Sequence, residues 1–256
     1  MSETLRLGSP RSGSPRLRSK QARHAGEAVI ILQARMASTR LPGKALAPIG
    51  ARTLIGHCLA RLRIGGAAPV ILATTTNQED DVLVATAAKY GVTAFRGSID
   101  DVLSRYVLAA QSLGARFVVR ATGDNPAVDM GAPARVLAAL RSTGADYVVE
   151  NGMPYGGAVE GVTVDALVRA SALATSLADR EHVTPWIRRD RTRFTAVQTP
   201  APAAVRRPDV RVTVDTSHDL AFMQEVAARM DNWCDEPELR SIVTVAASLA
   251  AGARCA

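Results

Sequence analysis

The chain has 256 residues, 47% hydrophobic and 21% charged, a balance that supports a substantial core in one or two domains. No stretch approaches the ~20 apolar residues of a membrane-spanning helix, so no membrane partner is expected. The formal net charge of +7 is uneven: residues 1–27 hold six basic against two acidic side chains, +4, leaving +3 for the remainder. That remainder is too weakly basic for a domain-wide nucleic-acid footprint, and Cys58, Cys234 and Cys255 are too scattered for a zinc site or a disulfide framework.

In chain order, MSETLRLGSPRSGSPRLRSKQARHAGE is rich in Ser, Gly, Pro and Arg, and is expected to be a disordered tail over 1–27 ahead of a folded unit over 28–256. It lacks the apolar segment of a secretory signal, so a cytoplasmic location is expected. Val29-Ile30-Ile31-Leu32 reads as a strand buried on both faces. A polar loop follows, then a helix over 53–63 with Leu54, Cys58, Leu59 and Leu62 on one stripe. The alternation repeats: strand 70–73, helix 79–90, strand 94–95, helix 99–113, strand 117–119, helix 132–141 and strand 147–149. Beyond Asn151 the rhythm breaks. NGMPYGG reads as a loop, 161–164 as a strand and 165–177 as a helix. Strands over 194–197 and 210–214 precede helices over 219–230 and 236–249. Strands separated by helices of this length imply an α/β fold, a Rossmann-like, mostly parallel sheet sandwiched by helices.

In such sheets ligands bind beyond the carboxyl ends of the strands, and the informative residues fall there. After the first strand, Gln33-Ala-Arg-Met-Ala-Ser-Thr-Arg-Leu-Pro-Gly-Lys44 carries Arg35, Arg40 and Lys44 beside the Ser38 and Thr39 hydroxyls. Charge and donors of this kind can surround a polyphosphate. The loop is neither a Walker A loop, which needs Gly at 38 and Ser or Thr at 45, nor a G-x-G-x-x-G fingerprint. After the fourth strand comes Arg120-Ala-Thr-Gly-Asp-Asn-Pro, with Gly123 permitting a tight turn and Asp124 facing the crevice. Asp215, in Arg211-Val-Thr-Val-Asp-Thr216, ends another predicted strand. Two carboxylates facing a phosphate loop form a natural Mg²⁺ platform, because Mg²⁺ prefers one or two carboxylates with phosphate oxygens and water. The alternative fate of an Asp after a strand is a helix N-cap, which Asp219 fits better than Asp215.

Six segments, ILQARMASTRLPGKAL, LATTTNQEDD, FRGSIDDVLSRY, VRATGDNPAVD, REHVTPWI and VTVDTSHDLAF, stand in the order found in cytidylyltransferases. The chain resembles the spore-coat polysaccharide branch, which is related to the 3-deoxy-manno-octulosonate and acylneuraminate enzymes. The resemblance implies a nucleotide-diphospho-sugar transferase type of fold and Mg²⁺-dependent transfer of CMP from CTP to a sugar acid or similar acceptor, with release of pyrophosphate. It implies that Arg35 and Lys44 hold the triphosphate with the rest of their loop (Ala34, Ser38, Thr39, Arg40), and that Asp124 and Asp215 bind the metal; Arg35, Lys44, Asp124 and Asp215 are the expected catalytic set. Thr74, Arg96 and Gly97 are the candidates for base and ribose, with Arg120 and Gly123 completing the nucleotide site. Glu160, Arg180, Glu181 and His182 are the acceptor candidates; for His182 a place at a helix start capped by Asp179 competes. By the same resemblance a homodimer is expected, through an acceptor and dimer arm over 151–193. One departure stands out: the branch reads P-x-G-x-D-x-E where this chain has Pro154-Tyr-Gly-Gly-Ala-Val-Glu160, so Ala158 replaces an expected acidic residue. Competing readings are a UTP- or GTP-dependent transferase acting on a sugar phosphate or phosphonate, a non-catalytic nucleotide binder, and a nucleic-acid binder resting only on the tail.

Overall fold

The structure is a computed structural model and describes residues 26–252. Nearly all of the expected tail, and Cys255, lie outside the described residues. Glu27 already belongs to the folded unit, since its carbonyl accepts the N–H groups of Arg116 and Phe117.

The expected first strand is β1 (Ala28–Gln33). Ala28, Ile30 and Leu32 enter one core while Val29 and Ile31 enter the other, which explains why its apolar run has no polar alternation. Parallel strands β4 (Val70–Thr75) and β6 (Phe117–Thr122) flank it, and β5 (Thr93–Gly97) extends the sheet beyond β4. On the other side the order continues through β8 (Glu160–Thr163), β7 (Tyr147–Asn151) and β9 (Ala196–Pro200). β8 runs antiparallel to both neighbours. A short hairpin, β2 (Pro48–Ile49) and β3 (Arg52–Thr53), stands apart.

One face carries α1 (Leu54–Ile64), α2 (Asp81–Lys89), α4 (Ala132–Thr143), α8 (Ser217–Ala228) and α9 (Leu239–Gly252). The other carries α3 (Val102–Ser112) and α5 (Val164–Leu173), with Val183, just past the short helix α6 (Leu177–His182), and Ile187 of α7 (Pro185–Arg189). The interval 151–193 thus places β8 inside the main sheet and three helices on one face.

Three expectations need correction. The helix over 165–177 stops at Leu173, because Ala174 is extended and Ser176 caps α6 by accepting the N–H of Asp179. The stretch 210–214 makes a single bridge, Tyr155 to Arg211, since its backbone is spent on Tyr155 and Asp124 and not on a neighbouring strand. The N-cap of α8 is Thr216, with Asp219 closing the reciprocal bond of a capping box.

The hairpin is anchored by a buried polar cluster. Glu236 accepts from Arg52, from His57 Nδ1 at 3.0 Å and from Arg61 Nη1 at 3.5 Å. Arg61, also buried, donates to the carbonyls of Val128 at 2.7 Å and Pro237 at 2.8 Å; burial lowers its pKa, and Glu236 opposes that shift. Removing one partner of such a cluster leaves buried charge uncompensated, at about 3–5 kcal/mol. Glu236→Ala is therefore expected to lower the melting temperature by on the order of 10 °C in a thermal melt, and a shift within ~2 °C would contradict this role.

Candidate active site

The loop after β1 folds back on itself. The Met36 carbonyl accepts the N–H groups of Ser38 at 2.9 Å and Gly43 at 3.3 Å. Gly43 turns the chain at φ +71°, a left-handed conformation that costs any other residue strain, and Lys44 then opens a short 3-10 turn. On the neighbouring strand, Gly123 donates to the Gln33 carbonyl at 2.8 Å. A Cβ there would stand 2.9 Å from Ala34 Cβ and 3.0 Å from the Gln33 oxygen, so only glycine lets β6 end this close to the loop.

An open cleft of about 270 Å³ lies at these strand ends. Of the sequence candidates, its wall contains Ala34, Arg35, Ser38, Thr39, Arg40, Lys44, Arg120, Gly123, Asp124, Glu181, His182 and Asp215. The two Asp residues converge on one ammonium. Lys44 Nζ lies 3.3 Å from Asp215 Oδ1 and 3.8 Å from Asp124 Oδ2, and donates to the Val214 carbonyl at 2.7 Å. The backbones meet as well, since the Asp124 carbonyl accepts the Val214 N–H at 2.8 Å and the Thr213 hydroxyl at 3.1 Å.

Asp215 is 9% exposed and also takes Arg40 Nη2 on Oδ1 and Arg211 Nη2 on Oδ2, each at 2.8 Å. Asp124 accepts the Thr122 hydroxyl at 2.6 Å on Oδ1, and Lys44 at 3.8 Å is the cation nearest to Oδ2 among the described residues. Behind them, Asp219 accepts the N–H groups of Asp215 at 3.0 Å and Thr216 at 2.9 Å. Burial would raise the Asp219 pKa, but Arg211 and these N–H groups hold it well below the usual carboxylate range. Among the described residues no cluster of three or more His, Cys, Asp or Glu forms a ready metal cage. Two convergent carboxylates, one of them half open, fit a cation that completes its shell with phosphate and water.

At the opposite wall Arg35 Nη2 donates to Glu181 Oε1 at 3.1 Å, linking the loop to α6. Arg120 donates to the half-buried Glu160 at 2.7 Å, which also accepts the Tyr147 hydroxyl at 2.6 Å and the Thr184 hydroxyl at 3.1 Å. Burial would raise the Glu160 pKa; the Arg120 charge and these hydrogen bonds outweigh it and keep the carboxylate ionised. The bond to Thr184 fixes the segment carrying Glu181 and His182. Val183, between His182 and Thr184, has φ +72° with its side chain fully buried, a strained conformation for a β-branched residue that the surrounding packing enforces.

Five candidates lie outside the cleft wall. Thr74 is fully buried. Arg96 is spent on the carbonyls of Thr75 and Asn77 and on Asp81. Gly97 packs against Arg105. Glu160 touches the cleft only through Arg120, and Arg180 pairs with Asp101 and the Ser171 carbonyl at 3.1 Å. Ala158 lines a second cavity of about 280 Å³ that shares Thr122 and Asp124 with the first. Sequence reasoning missed Arg211, Thr122 and Asp80. Each stood in a quoted segment, Arg211 four residues before Asp215, Thr122 two before Asp124 and Asp80 within LATTTNQEDD, but the segments do not show which remote groups these side chains meet.

Residues 29–245 match the family model described as cytidylyltransferase. The spore coat polysaccharide biosynthesis protein SpsF of Bacillus subtilis strain 168 is 34% identical over 214 residues, covering 79% of this chain and 89% of that protein. A solved cytidylyltransferase from Leptospira borgpetersenii serovar Hardjo-bovis is 27% identical, with a TM-score of 0.79 over 88% of this chain and 95% of that one. The CMP:2-keto-3-deoxy-manno-octonic acid synthetase, solved in complex with CTP, shares the fold at 18% identity and a TM-score of 0.60, over 79% and 99%. With both the signature segments and the mostly parallel fold in place, the chain belongs to the cytidylyltransferase family of nucleotidyltransferases.

Proposed function

We propose that this enzyme transfers CMP from CTP to a hydroxyl of a sugar acid or similar acceptor, releasing pyrophosphate, in polysaccharide or glycan assembly. The observation that carries this reading is Lys44, at the end of the cationic loop, seated between Asp124 and Asp215. In the reaction the acceptor oxygen bonds to the α-phosphorus, the bond to the bridging oxygen of pyrophosphate breaks, and the hydroxyl proton passes to solvent. Charge grows on the equatorial oxygens and on the departing pyrophosphate. Lys44, Arg40 and Arg35 are the groups that meet it, and backbone N–H groups of the loop add donors.

Asp124 and Asp215 would hold Mg²⁺, which supplies charge neutralisation and orientation of the phosphates. Arg40 is 63% exposed, so its ion pair with Asp215 is worth at most ~1 kcal/mol. Arg40 can exchange that carboxylate for a phosphate at little cost, and Lys44 can do the same by a small movement. Both cations then serve as placeholders in the nucleotide-free site. Glu181 and His182 face the cleft from the acceptor side of this reading. The cavity beside Asp124 offers space for the acceptor, where Ala158 removes the charge that the spore-coat branch carries.

A homodimer through 151–193 remains part of the proposal. It is supported by exposed apolar side chains on α5 and α6, where Leu177 is 78% exposed with Val168 and Leu173 nearby in the chain.

Three outcomes follow. In a thermal-shift comparison with Mg²⁺, CTP at ~100 times its dissociation constant should stabilise by ~2.7 kcal/mol, with ATP, GTP and UTP well behind; equal shifts for all four would remove cytosine selectivity. Lys44→Ala should cut kcat/KM for pyrophosphate release across a panel of sugar acids, sugar phosphates and phosphonates by ~10²–10³-fold, while Arg40→Ala costs less; no release with any acceptor despite tight CTP binding would argue for a non-catalytic homologue. In sedimentation, the wild type should run as a dimer and Leu177→Lys should shift it toward monomer, whereas a monomeric wild type would contradict the arm.

A further inference from the structure

Asp80 stands outside the cleft wall and takes no part in the chemistry above, yet it is completely buried. Among the described residues no Lys or Arg forms an ion pair with it. Beyond a longer-range interaction with the Arg105 charge, its contacts are hydrogen-bond dipoles. Oδ1 accepts the backbone N–H of Met36 at 2.7 Å, and Oδ2 accepts the Thr75 hydroxyl and the Thr75 N–H at 3.1 Å. Burial would raise its pKa, but these hydrogen bonds hold the carboxyl below the usual range. A buried carboxylate is costly to keep, and the carboxylate here joins the end of β4 to one particular peptide of the loop after β1.

Met36 is the hub of that loop. Its carbonyl collects Ser38 N–H from one limb and Gly43 N–H from the other, while its own N–H is the group that Asp80 holds. Fixing this peptide fixes the turn that presents Arg35 on one side and Ser38 to Lys44 on the other. We infer that Asp80 is a positioning residue for nucleotide binding, holding the loop in its nucleotide-ready shape before the triphosphate arrives. The inference rests on the reading that this loop binds the triphosphate.

The isosteric Asp80→Asn keeps one acceptor oxygen, which stays with the two Thr75 donors, and turns its NH₂ against the Met36 N–H, so the Met36 link breaks. It is expected to raise the KM for CTP by about tenfold, leaving the KM for the acceptor within about twofold. Amide hydrogen exchange should quicken over 36–43 and not in β4. Thr75→Val removes a hydrogen bond to the same carboxylate without touching the Met36 link; it should lower the melting temperature while leaving the KM for CTP unchanged. If the two variants instead lose CTP affinity in proportion to their loss of stability, Asp80 is structural only and the inference is overturned.

A measurement on the unaltered protein guards against a variant that fails to fold. In the wild type without nucleotide the Met36 amide should already be protected from exchange; exchange at open-loop rates would overturn the inference. Wild-type binding of CTP separates the two readings. If the wild type binds CTP but Asp80→Asn changes neither exchange nor KM, this inference fails and the proposed function stands. If the wild type binds no CTP, the function fails and the inference with it.

Discussion

Charge balance at one point organises this site: two carboxylates from distant parts of the chain are brought within reach of a single ammonium. Left alone, Asp124 and Asp215 would repel each other, and the Lys44 side chain between them removes that penalty. The convergence is built into the backbone, since 213–214 bonds directly to the Asp124 carbonyl. The stretch 210–214 therefore stays outside the sheet and brings Asp215 against the end of β6. In the account proposed here, a divalent cation with the nucleotide phosphates takes over the balancing role of Lys44 and Arg40.

Around this point stand ionised groups outside the cleft wall. Asp219 fixes the main chain of Asp215, Asp80 fixes Met36, and Glu160 joins Arg120 to Thr184. Each is a carboxylate whose depressed pKa arises from donors that outweigh burial. A carboxylate so held orients its donors firmly, which is what a preorganised site requires. The strained Val183 belongs to the same pattern, since its buried side chain holds the segment bearing Glu181 and His182.

Much of this was legible in the residues. The uninterrupted run at β1 reports burial on both faces, and the alternation of strands and helices reports a parallel sheet. Residues following β1 and β6 fall at the cleft because carboxyl ends of parallel strands share one edge. What stayed hidden depends on contacts between remote segments. Residues 161–164 read as a strand, but nothing in them says that β8 runs antiparallel between β6 and β7. Arg96 and Arg180 lie at promising strand and helix ends, and their long side chains instead find nearby carbonyls and acids. Asp80 looks like an ordinary helix-start acid, because its partner Met36 is 44 positions away.

The central claim is that Asp124 and Asp215 act together on one cation. Crystals grown with Mn²⁺ and an unreactive CTP analogue would test it through the anomalous signal of the metal. The account predicts a manganese peak coordinated by both carboxylates and by nucleotide phosphate, with Arg40 moved off Asp215. A metal held by only one of the two, or lying elsewhere with the Lys44 contacts intact, would contradict it.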